Sequence, residues 1–376
     1  MSRPGPLRYT LLSMNIAFLG HSIVSDWNHG NAHFFRGLIK ALSKKGHHVT
    51  FFEPTNAWSL SRLQAESAQS EADLLAAFSV RFPFVTPRFY DETTDWRETL
   101  APFDATLVHE WTDTPLVLAL AALSPDLPGP VLYYDTHHRP VTEPDAIRPR
   151  NLPAFDGVIA FGASLRDVFV RDFGTDPART FVLHEAADAD EFAPQPNIQP
   201  VCDLVFVGNW SDDRAAEMET YVFVPRVRAK SVWGVLYPKR VQARMKTAGV
   251  FYNGYLPNTA VPRVLAQSRL VAHVHRGPYN RYLPGIPTIR MFEALSCGAC
   301  LVSSPWNDAE TLFRPDDYVH LPPGDPTKTY RDLLNDPAAR AAYGAHGRET
   351  ILARHTCAHR ADELLAILSQ PLKSRS

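Results

Sequence analysis

The chain alternates short apolar segments with segments of helical spacing, and this alternation restricts the fold more than any other feature. Residues 15–19 and 48–53 are apolar runs on either side of a helical pattern at 34–42, and a similar succession starts again at residues 202–207. Strands that alternate with helices form parallel, doubly wound sheets, which bind ligands at the carboxyl ends of their strands. We therefore predict an α/β fold with two Rossmann-like sheets facing a cleft.

Three prolines within residues 193–200 separate the two units. Such a stretch continues neither a helix nor a strand, so it predicts an interdomain linker. The chain has 376 residues, which exceeds the size at which one hydrophobic core usually keeps growing. We predict a first domain at residues 14–192, a second domain at 201–355, and a terminal helix and tail at 356–376 that can cross back to the first domain.

Composition and charge exclude several classes of protein. Hydrophobic residues make up 45% and charged residues 21% of the chain, as in ordinary globular proteins. The formal net charge of −2 provides no basic field, so no nucleic-acid partner is expected. No apolar run approaches the roughly 18 residues of a membrane span, so no integral membrane segment is expected. Four unevenly spaced cysteines do not form a disulfide framework, which fits a cytoplasmic protein.

The segment from Gly285 to Cys300, GIPTIRMFEALSCGAC, carries the strongest indication of a binding site. Gly285 and Pro287 lead into a helix whose first turns carry Arg290 and Glu293. A helix N-terminus favours anions such as phosphate, and Arg290 could add a bidentate contact to the same group. A carboxylate at Glu293 could accept both hydroxyls of a ribose. The alternative is an i,i+3 ion pair on a solvated helix.

This region resembles the CgeB-like (spore maturation protein) glycosyltransferases, relatives of the retaining GT-B family four. Gly285 to Ala299 matches their pattern G-x-P-[ST]-x-R-x-F-E-A-x-x-C-G-A, and residues 20–30 and 46–53 resemble their opening βαβ unit. Residues 184–188 resemble the end of their first domain. The resemblance implies a GT-B fold and transfer of a sugar from a nucleoside-diphosphate sugar to an acceptor hydroxyl, with retention of configuration and with no cofactor besides this co-substrate.

The resemblance also implies roles for single residues. Glu293 would hold the ribose of the nucleotide sugar, while Arg214, Arg276 and Arg290 would face its diphosphate. Family-four enzymes usually have a glutamate where this chain has Gly285, so the identity of the sugar stays open. The donor-binding residues predicted in this way are Asn209, Arg214, Arg276, Gly285, Ile286, Pro287, Thr288, Arg290 and Glu293.

No carboxylate cluster has metal-ligand spacing, and we interpret the adjacent Asp212 and Asp213 as a helix cap. In a site without metal, arginines and helix N-termini can supply the donors that a departing diphosphate needs. We therefore expect a reaction without a metal ion.

Catalytic and acceptor-side candidates follow the predicted strands of the first unit. His137 or His138 could hydrogen-bond the donor sugar or take a proton from the acceptor, or could be loop residues without a function. An indole face at Trp111 suits stacking against a sugar, although this residue could also belong to the core. The predicted catalytic residues are His137, His138 and Glu110, and the predicted acceptor-side residues are Trp27, Asn28, His29, Gly30 and Trp111.

The acceptor is not defined by the sequence: a saccharide, a lipid-linked molecule and a small molecule all remain open. Two other functions also remain open. A sugar-nucleotide epimerase would need acid and base residues on both faces of the sugar. A GT-B protein that binds a nucleotide sugar without turnover is suggested by two departures from the family pattern. One is Gly285, and the other is His138, which stands where the CgeB-like pattern D-x-D-x-P-V-T has its second aspartate.

Overall fold

The computed structural model describes residues 13–28, 30–224 and 227–373. Its strands form two sheets. The first contains β1 (Asn15–Leu19), β2 (His48–Pro54), β3 (Thr86–Tyr90), β4 (Ala105–His109), β5 (Val131–Asp135), β6 (Gly157–Ala160) and β7 (Thr180–Val182). The second contains β8 (Cys202–Val207), β9 (Lys230–Trp233), β10 (Val250–Tyr252), β11 (Ser268–His273), β12 (Leu301–Ser303) and β13 (Val319–His320).

Helices connect the strands and cover both faces of each sheet, and none in the described ranges is long and apolar enough to cross a membrane. They are α1 (Ala32–Lys44), α2 (Trp58–Ser67), α3 (Glu71–Arg81), α4 (Trp96–Leu100), α5 (Thr114–Leu123), α6 (Arg139–Thr142), α7 (Pro144–Ile147), α8 (Ala163–Phe173), α9 (Ala215–Tyr221), α10 (Lys239–Thr247), α11 (Val261–Ala266), α12 (Gly277–Tyr282), α13 (Ile289–Ser296), α14 (Thr327–Asn335), α15 (Pro337–Arg354) and α16 (Cys357–Leu368).

Both sheets are parallel and doubly wound. The strand order is β3-β2-β1-β4-β5-β6-β7 in the first and β10-β9-β8-β11-β12-β13 in the second. In each sheet the order reverses beside the first strand of the unit, so that β1 lies between β2 and β4 and β8 lies between β9 and β11. Such a switch point opens a crevice at the carboxyl ends of the strands. The predicted fold class, with two Rossmann-like sheets, is confirmed.

The central strands are apolar throughout because both of their faces are buried. In β1, Ile16 and Phe18 point into one core, while Ala17 and Leu19 point into the other. Strand β8 divides its side chains between two cores in the same way. This two-sided burial fixes the register of the strands, since a slip by one residue would exchange the two faces.

The last helix, α16, packs on the first domain. Ala361 and Leu364 are fully buried in the same core as Phe34 and Leu38 of α1. At the start of α16, the backbone N–H of Cys357 donates to the carbonyl of Ala187 at 3.1 Å. The chain therefore returns to the first domain after completing the second.

Candidate active site

A cavity of about 430 Å³ lies between the two sheets, beside the carboxyl ends of their strands. Thr136 follows β5 on one wall, and Gly208 and Gly234 follow β8 and β9 on the other. Several residues that the sequence predicts for the site line this cavity. They are Asn28, Gly30, Trp111, His137, Asn209, Arg214, Arg276, Pro287, Thr288 and Arg290.

Other predicted residues lie behind the walls of the cavity. Glu110 and Glu293 are fully buried, and His138 is 5% exposed. His29 lies outside the described residues. The predicted residues that are described but do not line the cavity are Trp27, Glu110, His138, Gly285, Ile286 and Glu293.

Arg214 follows β8 and lines the cavity. Its Nη1 donates to the carbonyl of Asn209 at 3.2 Å, whereas its buried Nε has no hydrogen-bond partner in the described part of the chain. Burial, together with the charge of Arg276, lowers the pKa of Arg214 to about 10. Within the described ranges no carboxylate forms an ion pair with it. Arg214 is therefore a cation whose surroundings favour an anion.

Arg276 already has a partner. It forms an ion pair with Asp213 at 3.0 Å, and the same carboxylate accepts from the N–H of Gly277 at 2.9 Å. Burial alone would raise the pKa of Asp213, but the hydrogen bonds and charge of Arg276 outweigh it and hold this pKa well below its usual range. Asp213 thus accepts from the first N–H of α12, a contact of the kind that a helix cap makes.

The N-terminus of α13 reaches the cavity through Pro287, Thr288 and Arg290. Thr288 is the N-cap residue, but its side chain makes no capping hydrogen bond. Its hydroxyl lies instead 3.0 Å from Nε2 of His273. The positive end of a helix that lacks a side-chain cap is suited to an anionic group in the cavity.

Glu293 lies on the inner side of α13 and joins the two domains. One carboxylate oxygen is in close contact with Arg290, and the other lies 2.7 Å from Nδ1 of His33 in α1. The Nε of Arg290 also donates to the carbonyl of Val207 at 3.1 Å. In this arrangement the carboxylate that was predicted to hold a ribose is shielded from the cavity by Arg290.

A close approach of two loops forms the floor of the cavity in the second domain. Gly234 has φ of +143°, and a Cβ atom there would lie 2.1 Å from the carbonyl oxygen of Gly208. The side chain of Asn209 accepts from the N–H of Val235 at 2.9 Å and donates to the side chain of Asn28. Asn209 thus fixes the floor and connects it to the first domain.

His137 and His138 follow β5 but differ in exposure to the cavity. The N–H of His137 donates to Asp135 at 2.8 Å, which holds the imidazole at the wall, and its Nδ1 has no partner in the described residues. His138 points away and lies 3.0 Å from the hydroxyl of Thr142. Burial and neighbouring cationic groups lower the pKa of His137 well below its ordinary value and that of His138 to about 4. Both rings are neutral near pH 7.

Glu110 is buried behind the residues that line the cavity and is not itself exposed to it. Its carboxylate pairs with Arg139, whose guanidinium lies 4.2 Å from the ring centroid of Trp111. Burial raises the pKa of Glu110 in spite of this pairing. Trp111 itself is 37% exposed and lines the cavity, so it is not a core residue.

Gly285 occupies a position without room for a side chain. Its φ is +90°, and a Cβ atom there would lie 2.7 Å from Cγ of Glu310. Glu310 accepts from the N–H of Ala163 at 2.9 Å and contacts Nε2 of His184 at 2.9 Å. This glutamate of the second domain therefore fills the space beside Gly285 and binds the first domain.

Sequence reasoning missed several residues of the cavity. Trp58 is 43% exposed, lines the first-domain wall and stacks on His21 with 4.7 Å between ring centroids. Glu185 and Tyr279 also line the cavity. Trp58 lies in α2, which has no marked apolar periodicity. Glu185 follows β7 and lies within the stretch 184–188 that resembles the end of the family's first domain, and these two features are the signals that could have identified it.

Comparisons with known proteins agree with this arrangement. Residues 30–191 match the model of Glycosyltransferase Family 4, and residues 217–366 match a model described as glycosyl transferase-like. Comparison with curated protein sequences gave no significant match.

Solved structures resemble the chain over almost its whole length. HepE of Anabaena, solved with UDP and glucose, has a TM-score of 0.64 at 14% identity and aligns over 95% of this chain and 99% of its own. An alpha-glucosyltransferase solved with UDP and DNA has a TM-score of 0.69 at 11% identity, over 95% and 100%. Sucrose-phosphate synthase of Thermosynechococcus elongatus has a TM-score of 0.63 at 13% identity, over 94% and 98%.

The sequence identity to these solved structures is low, so the likeness to them concerns the fold. The two family models, however, apply to the sequence itself, and between them they cover most of both domains. Together with the architecture of the two sheets, they show that the chain is a glycosyltransferase of the GT-B fold.

Proposed function

We propose that the enzyme transfers a sugar from a nucleoside-diphosphate sugar to an acceptor hydroxyl, with retention of configuration and without a metal ion. The observation that carries this proposal is Arg214, a cation that faces the cavity without an ion-pair partner in the described ranges. A diphosphate at the N-terminus of α13 would supply the missing negative charge. Because HepE and the alpha-glucosyltransferase were each solved with UDP, UDP is our first choice of nucleoside diphosphate.

Binding of the diphosphate would rearrange the ion pair in α13. Arg290 lies at the cavity wall and covers the carboxylate of Glu293. A phosphate group competes well for an arginine, since its oxygens match the planar guanidinium. We propose that Arg290 turns to the diphosphate and that Glu293 is then free to accept the hydroxyls of the ribose.

The reaction needs stabilisation of the departing diphosphate. Arg214, Arg276 and the N-terminus of α13 all line the cavity, and we propose that they supply the positive charge for this purpose. In our proposal the departing phosphate helps to take the proton from the acceptor hydroxyl, and His137 provides a neutral hydrogen-bond partner. The resemblance to the retaining family-four enzymes supports retention, and the anomeric configuration of the product would test it.

We propose that the acceptor enters beside the two exposed indoles of the first domain, Trp58 and Trp111. Such faces favour saccharides, although lipid-linked and small-molecule acceptors remain candidates. A cytoplasmic location is supported by the four cysteines, which are all free thiols. The net charge of −2 gives no support to a nucleic-acid acceptor.

A thermal-shift screen tests the donor site. Wild-type protein is heated with UDP, GDP and ADP and with their glucose conjugates, because a ligand that binds the folded state raises the Tm. We expect one nucleotide to raise it, and Glu293→Ala and Arg290→Ala to abolish that rise. Arg240→Ala is the matched control, since Arg240 is exposed and pairs with an exposed aspartate in the same domain. Undiminished binding by both site variants would contradict the assignment.

Product analysis then tests the reaction. With donor and a saccharide panel we expect a glycosylated product whose yield does not change with EDTA. Loss of activity with EDTA, restored by Mg²⁺, would contradict the metal-free reaction. An epimerised nucleotide sugar formed from the donor alone would identify an epimerase instead.

A further inference from the structure

Glu185 is a buried carboxyl group at the wall of the cavity. It follows β7, is 5% exposed and lines the cavity from the first domain. Its carbonyl accepts from Arg360 at 3.3 Å, and its neighbours Leu183 and Ala186 are fully buried. The backbone therefore holds this residue in a fixed place, as expected of a group that contacts a ligand.

The side chain of Glu185 is not satisfied by the protein. Its Oε1 is buried and has no hydrogen-bond partner in the described residues. Among the described residues that line the cavity, Asp26 is the other one with a carboxyl group, and Asp26 already accepts from Tyr255 and from the N–H of Asn258. A buried polar group without a partner is costly, so a ligand that bonds to Glu185 gains from relieving that cost.

The surroundings determine which ligand group fits. Burial raises the pKa of Glu185 well above its ordinary value, and the nearby carboxylates of Glu293 and Glu110 raise it further. Whether or not it carries a proton, the group presents a buried acceptor oxygen, Oε1, that has no partner in the described residues. This acceptor oxygen matches the hydroxyl donors of a sugar better than the oxygens of a diphosphate, which are themselves acceptors and are negatively charged.

We propose that Glu185 binds hydroxyls of the sugar that is transferred and thereby contributes to the choice of donor. This inference rests on the proposed function, because it requires a nucleotide sugar in the cavity. The diphosphate is assigned to Arg214 and the N-terminus of α13, both in the second domain. Position 285, where family-four enzymes usually have a glutamate, carries no side chain here, and Glu310 fills the space beside it. We therefore assign the carboxyl group that contacts the sugar to Glu185 of the first domain.

Titration calorimetry with two ligands tests this role. The ligands are UDP and UDP-glucose, or the corresponding pair that stabilises the wild type in the screen. We expect Glu185→Ala to weaken binding of the nucleotide sugar about tenfold, as for the loss of one or two hydrogen bonds, while the Kd of the nucleoside diphosphate changes less than twofold. Glu185→Gln, whose amide keeps an acceptor oxygen in a side chain of the same size, should restore most of the lost affinity.

Two controls make the result decisive. Glu191→Ala removes a glutamate of the same segment that pairs with Arg81 and does not line the cavity, and it should leave both affinities unchanged. Glu185→Leu fills the space with apolar atoms, so it replaces the alanine variant if that one does not fold. Equal loss of affinity for both ligands, or no loss for either, would overturn the role of Glu185. A wild type that binds no member of the panel would instead overturn the donor site, and this inference with it.

Discussion

Three arginines of the second domain line the cavity, and their partners differ. Arg276 pairs with Asp213 and Arg290 pairs with Glu293, whereas Arg214 pairs with no carboxylate in the described part of the chain. A cation that is partly buried without a counter-ion is unfavourable until an anion arrives. The difference singles out Arg214 as the arginine whose stability depends most on the ligand.

Replacing Arg214 should therefore have opposite effects on the free and the bound protein. We expect Arg214→Ala to weaken binding of the nucleoside diphosphate by about 10- to 100-fold, the equivalent of one charged hydrogen bond. The Tm without ligand should stay equal or rise, because an unpaired charge is removed. Calorimetry and thermal unfolding measure the two effects, with Arg240→Ala as control. Lower stability together with unchanged affinity would show that Arg214 is structural.

Replacing the two histidines that follow β5 should affect kcat to different extents. His137 lines the cavity and His138 does not, although their rings are only 4.1 Å apart. We expect His137→Ala to lower kcat about tenfold or more while the Kd of the nucleoside diphosphate stays within twofold, since we propose the imidazole as a hydrogen-bond partner in the reaction and not in nucleotide binding. His138→Ala should instead lower the Tm, because its ring packs on Tyr279. Equal effects of both variants on kcat would contradict this division.

At the scale of elements, the sequence predicts the central strands better than the edges. Strands β1, β2 and β8 lie within one residue of the apolar runs that predict them, because burial on both faces leaves a strong hydrophobic signal. Edge strand β3 has no fully buried residue, and β13 has only two residues. Such short or half-exposed segments carry too little periodicity to be found in one sequence.

In the candidate site, too, the sequence predicts some features and not others. The sequence pattern locates Arg290 and Thr288, because a helix N-terminus and its flanking arginine are local features. It does not reveal that Glu293 contacts His33, or that Glu310 fills the space at Gly285, since these contacts join segments far apart in the chain. The narrower likeness to CgeB-like enzymes and the domain boundaries stay predictions.

Helix α16 depends on a neutral histidine. Nε2 of His355 lies 2.8 Å from the carbonyl of Leu312, and its Nδ1 lies 2.8 Å from Arg360 of α16. The ring must therefore donate through Nε2 and accept through Nδ1. Burial and the charge of Arg360 lower the pKa of His355 to about 3, so this contact stabilises the fold fully above pH 6.5 and loses its effect as the pH falls towards 3.

The pH dependence of unfolding tests this contact. Between pH 7 and pH 5 the protonation of His355 in the unfolded state should lower the free energy of unfolding by on the order of 2 kcal/mol. We expect His355→Gln to be less stable than the wild type at pH 7. Its free energy of unfolding, measured with urea, should lack most of the decrease between pH 7 and pH 5 that His355 causes. The exposed His48→Gln should follow the wild type at both pH values. A variant with unchanged pH dependence would exclude His355 as the titrating group.

At the scale of the whole molecule, polar contacts hold the two domains together around the cavity. Asp26 of the first domain accepts from the hydroxyl of Tyr255 and from the N–H of Asn258 at 3.0 Å in the second. Glu310 makes a second connection through Ala163 and His184. If the proposed function holds, we expect the cleft to open for entry of a nucleotide sugar and release of the product, and these contacts to break and reform during turnover.

A double-mutant cycle can measure the contribution of one contact to closure. Asp26→Ala and Tyr255→Phe each remove the hydrogen bond between these two residues, and we expect each to weaken nucleotide-sugar binding severalfold and to raise the radius of gyration of the free protein in X-ray scattering. Because both changes break the same bond, the double variant should lose about 1 kcal/mol less binding free energy than the sum of the single losses. Additive losses with an unchanged radius of gyration would mean that Asp26 acts within its own domain, where it lies 3.4 Å from Arg36.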